Sequence, residues 1–117
     1  MAANASFEPD VLLDALGDAS RRAIVARLCQ APASVTTLAD ALPVSRPAVS
    51  QHLKVLKEVG LVVDRAEGTR RIYTVQPDAL ASVRTYFDEF WQQSLMAFRL
   101  AAEASEPTPV NETREHP

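Results

Sequence analysis

The chain has 117 residues, 47% of them hydrophobic, and a formal net charge of −3. That size suits one domain around a single core, and no apolar run approaches the roughly 20 residues needed to span a bilayer. The N-terminus "MAANASFEPD" lacks the basic-then-apolar build of a signal peptide, and Cys29, the only cysteine, has no partner for an intrachain disulfide. The expectation is a cytoplasmic protein with no membrane partner.

Residues 1–8 read as a flexible N-terminus. From Pro9 to Leu16 a short apolar helix ends at Gly17, and Asp18 can cap a second helix through Gln30 that buries Ile24, Val25 and Leu28. Pro32 ends that segment. Ser34 can then cap "VTTLADAL", in which Val35, Leu38 and Leu42 recur at helical spacing. Pro43 stops this third helix, and about four residues of turn lead to Ser45, a cap for a fourth. Pro47 is tolerated there because the first helical turn needs no amide donor.

In the fourth helix Val49, Leu53 and Leu56 fall on one stripe, while Arg46, Pro47, Ser50, Gln51 and Lys54 lie on the polar side. His52 stands at the border, toward the apolar stripe. Two β-branched and aromatic runs, "LVVDRA" and "RRIYTV", flank "EGT", so a hairpin bends at Gly68 with Arg65, Arg70 and Arg71 near its tip. A last helix from Pro77 to about Ala102 carries Leu80, Val83, Phe87, Phe90, Trp91 and Phe98 on one face. The polar, proline-containing remainder, 103–117, has no apolar period and reads as a disordered tail. The fold class is mainly α with a small β-hairpin (α+β): a winged helix-turn-helix of five helices plus wing, over 9–102.

The charge is segregated along these elements: residues 1–43 carry a net −2, 44–76 a net +3 and 77–117 a net −4. A local basic face between acidic flanks can bind phosphate without indiscriminate attraction to polyanions. Ser45 and the free amides of the first turn suit phosphate. Arg46, Ser50, Gln51 and Lys54 are donors long enough for base edges, with Gln matching adenine and Arg matching guanine bidentately. The enzyme reading is weak, because the three glycines form no phosphate-cradling loop and no nucleophile stands beside a histidine and an acid.

"LGDASRRAIVARL", "SRPAVSQHLKVLKEVGLV" and "EGTRRIYTV" together resemble the ArsR/SmtB family of bacterial winged-helix repressors, over about Leu12 to Phe98. The resemblance implies a homodimer that occupies a near-palindromic double-stranded DNA operator, until an inducer lowers its affinity. It implies DNA contacts from Ser45, Arg46, Pro47, Ser50, Gln51, His52 and Lys54 and from the wing arginines Arg65, Arg70 and Arg71. It implies a dimer interface on the first and last helices, with Val11, Leu12, Leu16, Phe87, Phe90, Trp91 and Phe98 as candidates. The metal-sensing patterns of the family do not match. The third helix has "TTLADAL" in place of a Cys-x-Cys, and Asp88 and Glu89 on the last helix have no histidine beside them. No metal or cofactor is expected, and Cys29 is expected as a small core residue. The expectation is an autorepressor-like regulator with the inducer unknown; the alternatives are a winged-helix protein-interaction module or a ligand- or redox-responsive sensor using a different site.

Overall fold

The structure, a computed structural model, describes residues 7–105. The elements run α1 (Pro9–Ala15), α2 (Ala19–Gln30), α3 (Val35–Ala41), α4 (Arg46–Glu58), β1 (Val62–Glu67), β2 (Arg70–Val75) and α5 (Pro77–Ser105). Each of the three middle helices starts at a side-chain cap of the expected kind. Asp18 Oδ1 accepts from the Arg21 amide at 3.0 Å, Ser34 Oγ from Thr37 at 3.2 Å, and Ser45 Oγ from Ala48 at 3.3 Å. Such caps satisfy amides that have no intrahelical partner. The C-terminal carbonyls of α1 are met by side chains of α2: Arg21 Nε donates to Ala15 O at 2.6 Å and Arg22 Nη1 to Leu16 O at 2.8 Å.

The hairpin is antiparallel, with Asp64 opposite Tyr73, Ala66 opposite Arg71, and Glu67 opposite Arg70 at the turn. Gly68 takes φ +65°, the left-handed value that a two-residue hairpin turn requires. One contact was not legible in the sequence. Ala33, between α2 and α3, pairs with Tyr73 through two backbone hydrogen bonds of 3.1 and 2.8 Å. This isolated bridge ties the wing to the start of α3.

The chain divides into two compact units, Met1–Arg84 and Thr85–Pro117. The first holds the core: Leu12, Ile24, Leu38, Val49, Leu53, Leu56, Leu61 and Val62 are all essentially inaccessible to solvent. Burying such side chains stabilises the fold by about 1.5–3 kcal/mol each. Phe7, expected in a flexible segment, packs against this core; its ring lies 3.0 Å from where a Cβ on Gly60 would stand, and Gly60 itself has φ +92°. In the second unit every described side chain but the half-buried Tyr86 is exposed. Here α5 runs on to Ser105 rather than ending at Ala102, because Ala-Ala-Glu-Ala favours a helix. Residues 1–6 and 106–117, including His116 and most of the expected tail, lie outside the described residues.

Candidate DNA interface

The turn between α3 and α4 is short because Val44 folds back on Leu42, its amide donating to the Leu42 carbonyl at 2.8 Å, before Ser45 opens α4. One face of α4 is then spent on the core through Val49, Leu53 and Leu56. This leaves Ser45, Arg46, Pro47, Ser50, Gln51 and Lys54 exposed together on the other. Among the described residues neither Arg46 nor Lys54 takes part in an ion pair. Two unengaged cations and two neutral hydrogen-bonding side chains therefore share one helical surface, the chemistry that base edges and flanking phosphates require.

His52 departs from this group. It is half-buried, whereas the others are exposed. His52 is thus set apart from the fully exposed polar face. At the start of α2, the hydrogen bond from the Arg21 amide holds the Asp18 carboxyl below its ordinary value against a smaller opposing effect of burial.

The wing cations are exposed, yet each is already engaged. Arg71 Nε donates to Asp64 Oδ2 at 2.9 Å, and Lys57, at the end of α4, reaches Asp64 Oδ1 at 2.9 Å. Hydrogen bonding from Lys57 holds the Asp64 carboxyl below its ordinary range against the opposing effect of burial, with a further, smaller contribution from Arg71. Arg65 lies 3.7 Å from Glu67, and since both are well exposed this contact contributes little. Arg70 Nη2 donates to Ser34 Oγ at 3.0 Å. That hydroxyl also accepts from the Thr37 amide and donates to Thr37 Oγ1 at 3.2 Å, so its full hydrogen-bonding capacity is used at a buried position. Asp64 and Ser34 are functional candidates that sequence reasoning missed. The alternation along β1 does place Asp64 on the same side of the hairpin as Arg71.

The interface candidates separate in the same way. Phe87, Phe90, Trp91 and Phe98 are exposed, Trp91 by 61% and Phe98 by 71%, and Leu95, Met96 and Leu100 extend the apolar surface. Val11 is exposed as well. Leu12 has no accessible surface and is a core residue of its own subunit, because it lies on the face of α1 turned inward with Ala15. Leu16 is partly buried and packs against that core. Cys29 is exposed rather than buried, since Ile24, Val25 and Leu28 fill the inner face of α2 and Cys29 falls outside it. Among the described residues no group of three His, Cys, Asp or Glu side chains is placed to hold a metal ion, and no helix is long and apolar enough to cross a membrane.

A buried-and-exposed α4 after a short turn, followed by a cationic hairpin, defines a winged helix-turn-helix protein of the DNA-binding class. Comparison with known proteins agrees. A family model for a helix-turn-helix domain matches residues 16–65. The HTH-type transcriptional regulator Rv2034 of Mycobacterium tuberculosis is 56% identical over 90 residues, 77% of this chain and 84% of that protein. Among solved structures, an ArsR-like transcriptional regulator from Rhodococcus sp. RHA1 superposes with a TM-score of 0.74 at 26% identity, over 86% of this chain and 94% of that one. The homodimeric winged helix-turn-helix DNA-binding domain of Mb0332 from Mycobacterium bovis gives 0.57 at 26% identity, over 86% and 84%. The chain belongs to the ArsR/SmtB family of winged-helix transcriptional regulators, and it is a DNA-binding regulator of transcription.

Proposed function

We propose that the protein is a homodimeric repressor that occupies a near-palindromic operator at its own or a neighbouring operon in the cytoplasm, with no catalytic role. Each subunit lays Arg46, Ser50, Gln51 and Lys54 in a major groove, Ser45 and Pro47 beside the backbone, and Arg65, Arg70 and Arg71 along the flanking phosphates. The observation that carries this reading is α4 itself: three residues of one face are buried completely, while the opposite face keeps its donors exposed and, among the described residues, Arg46 and Lys54 outside any ion pair.

Dimerisation is supported by the distal half of α5. A single helix with Phe87, Phe90, Trp91 and Phe98 bare to water has little reason to persist alone, and so contiguous an apolar surface marks an interaction site. A second copy of the chain is the occupant favoured by the homodimeric Mycobacterium bovis domain, whose fold this chain shares. Two-fold symmetry then makes the stripe self-complementary. A gel-shift titration of the full chain on the DNA upstream of its own gene, with a scrambled duplex as competitor and with zinc and reductant varied, tests the reading. Retention of the upstream fragment against excess competitor is expected. Equal displacement by both duplexes would refute operator recognition.

A further inference from the structure

Six cations lie between residues 44 and 76, and they divide sharply by how they are held. Arg46 and Lys54, on the face that reads bases, are unpaired, whereas Lys57 and Arg71 share one carboxylate. That carboxylate, on Asp64, is an unusual anion to find at a surface meant for a polyanion. Its side chain is only 7% exposed, beneath a lysine and an arginine exposed by 53% and 56%. Each oxygen has its own cation, 2.9 Å away: Oδ1 holds the last turn of the recognition helix, Oδ2 the second strand of the wing. Among the described residues no other ion pair joins these two elements.

We propose that Asp64 is a specificity-determining residue of DNA binding, an internal counter-ion that lowers affinity for arbitrary duplex and fixes the pitch of the wing against α4. This rests on α4 and the wing being the DNA face. Non-specific affinity arises from cations that replace the counter-ions condensed on phosphate, so it scales with the number of cations free to do so. A phosphate that approaches Lys57 or Arg71 must share its partner with Asp64, and the trio offers one net positive charge in place of two. Arbitrary DNA, which offers phosphates alone, loses the most by this. An operator engages the unpaired Arg46, Gln51 and Lys54 as well, and benefits from a wing that is already set at a fixed angle. The carboxylate stays ionised at neutral pH because both cations favour its charged form.

The test is fluorescence anisotropy of the full chain on the upstream fragment and on a scrambled duplex of equal length, across a salt series. Asp64→Asn keeps the shape and frees one charge. It is expected to steepen the salt slope on the scrambled duplex by about 0.9 per subunit, and so to raise affinity there about fivefold per subunit near 0.15 M salt. The preference for the upstream fragment falls by at least the same factor. Asp64→Asn/Lys57→Gln restores the net charge of the trio and returns scrambled-duplex affinity to the wild-type value. Asp64→Glu retains the charge and leaves that affinity within about twofold, and this variant decides the matter if the Asn variant does not fold by circular dichroism. Unchanged slope and affinity in Asp64→Asn, a gain that survives the double substitution, or an equal gain in Asp64→Glu would each overturn the proposal. A wild type without preference for the upstream fragment would instead refute the DNA-face reading, irrespective of Asp64.

Discussion

The recognition helix α4 and the distal part of α5 are both amphipathic, yet their apolar faces meet opposite fates. In α4, Val49, Leu53 and Leu56 vanish into the core and the polar face is the working surface. In α5 beyond Arg84, the apolar face itself stands in water, with Phe87, Phe90, Trp91 and Phe98 all at least half exposed. The same helical period therefore marks an intrachain contact in one place and an unfilled one in the other. Burial, which the period alone does not reveal, is what separates them.

Substitutions on the two helices should break in different ways. The largest effect is expected from Trp91→Ala. Truncating an aromatic anchor at an interface loses roughly 2 kcal/mol or more, and two-fold symmetry presents it twice, so the dimer dissociation constant should rise on the order of 1,000-fold. Sedimentation at graded concentration measures this; a dimer as tight as wild type would remove Trp91 from the interface. Leu53→Ala should instead destabilise the fold by about 3 kcal/mol through the cavity it leaves, with a loss measured by denaturant unfolding that does not vary with protein concentration. Concentration dependence would blur the contrast between the helices.

On the polar side of α4, Gln51→Ala should lower affinity for the preferred operator by roughly 1–3 kcal/mol and relax base preference at one position, as binding to a panel of operator variants can read. Equal loss on every sequence would make Gln51 a backbone contact. A smaller change is expected from Arg71→Ala. Removing Arg71 leaves Lys57 and Asp64 as a neutral pair, so the one net positive charge of the trio, and with it about one unit of the salt slope, should be lost on specific and scrambled DNA alike. An unchanged salt slope would remove Arg71 from the wing footprint.

Smallest is the acid limb of stability. Asp18 and Asp64 both have folded-state values depressed below the ordinary 3.8. Their contributions are present in full above that value and disappear as pH falls through the lower folded ones. Asp18→Asn should therefore flatten the fall in melting temperature below pH ~4, the ordinary carboxylate range. A parallel curve would show that the cap charge contributes nothing.

How much of this was legible beforehand depends on the range of the interaction that decides each residue. The caps at Asp18, Ser34 and Ser45, the stripe of α4 and the bend at Gly68 are set within a few residues, and the structure holds each of them. Leu12 and Cys29 were misjudged because a helical period gives the angle between side chains but not which angle faces inward, and only the packing of α1 and α2 decides that. Asp64 was hidden for another reason. Its two partners lie seven residues away on either side, on a helix and on a strand, so only the folded hairpin brings them together. The pairing of Ala33 with Tyr73 spans the whole helix-turn-helix and left no local mark.

A footprint of the full chain on the DNA upstream of its gene, by hydroxyl-radical cleavage, tests most directly that two copies present α4 to one duplex. Two protected segments are expected, with centres about 10–10.5 base pairs apart or a multiple of this, related by an approximate dyad. A single protected segment, or uniform weak protection along the fragment, would contradict it.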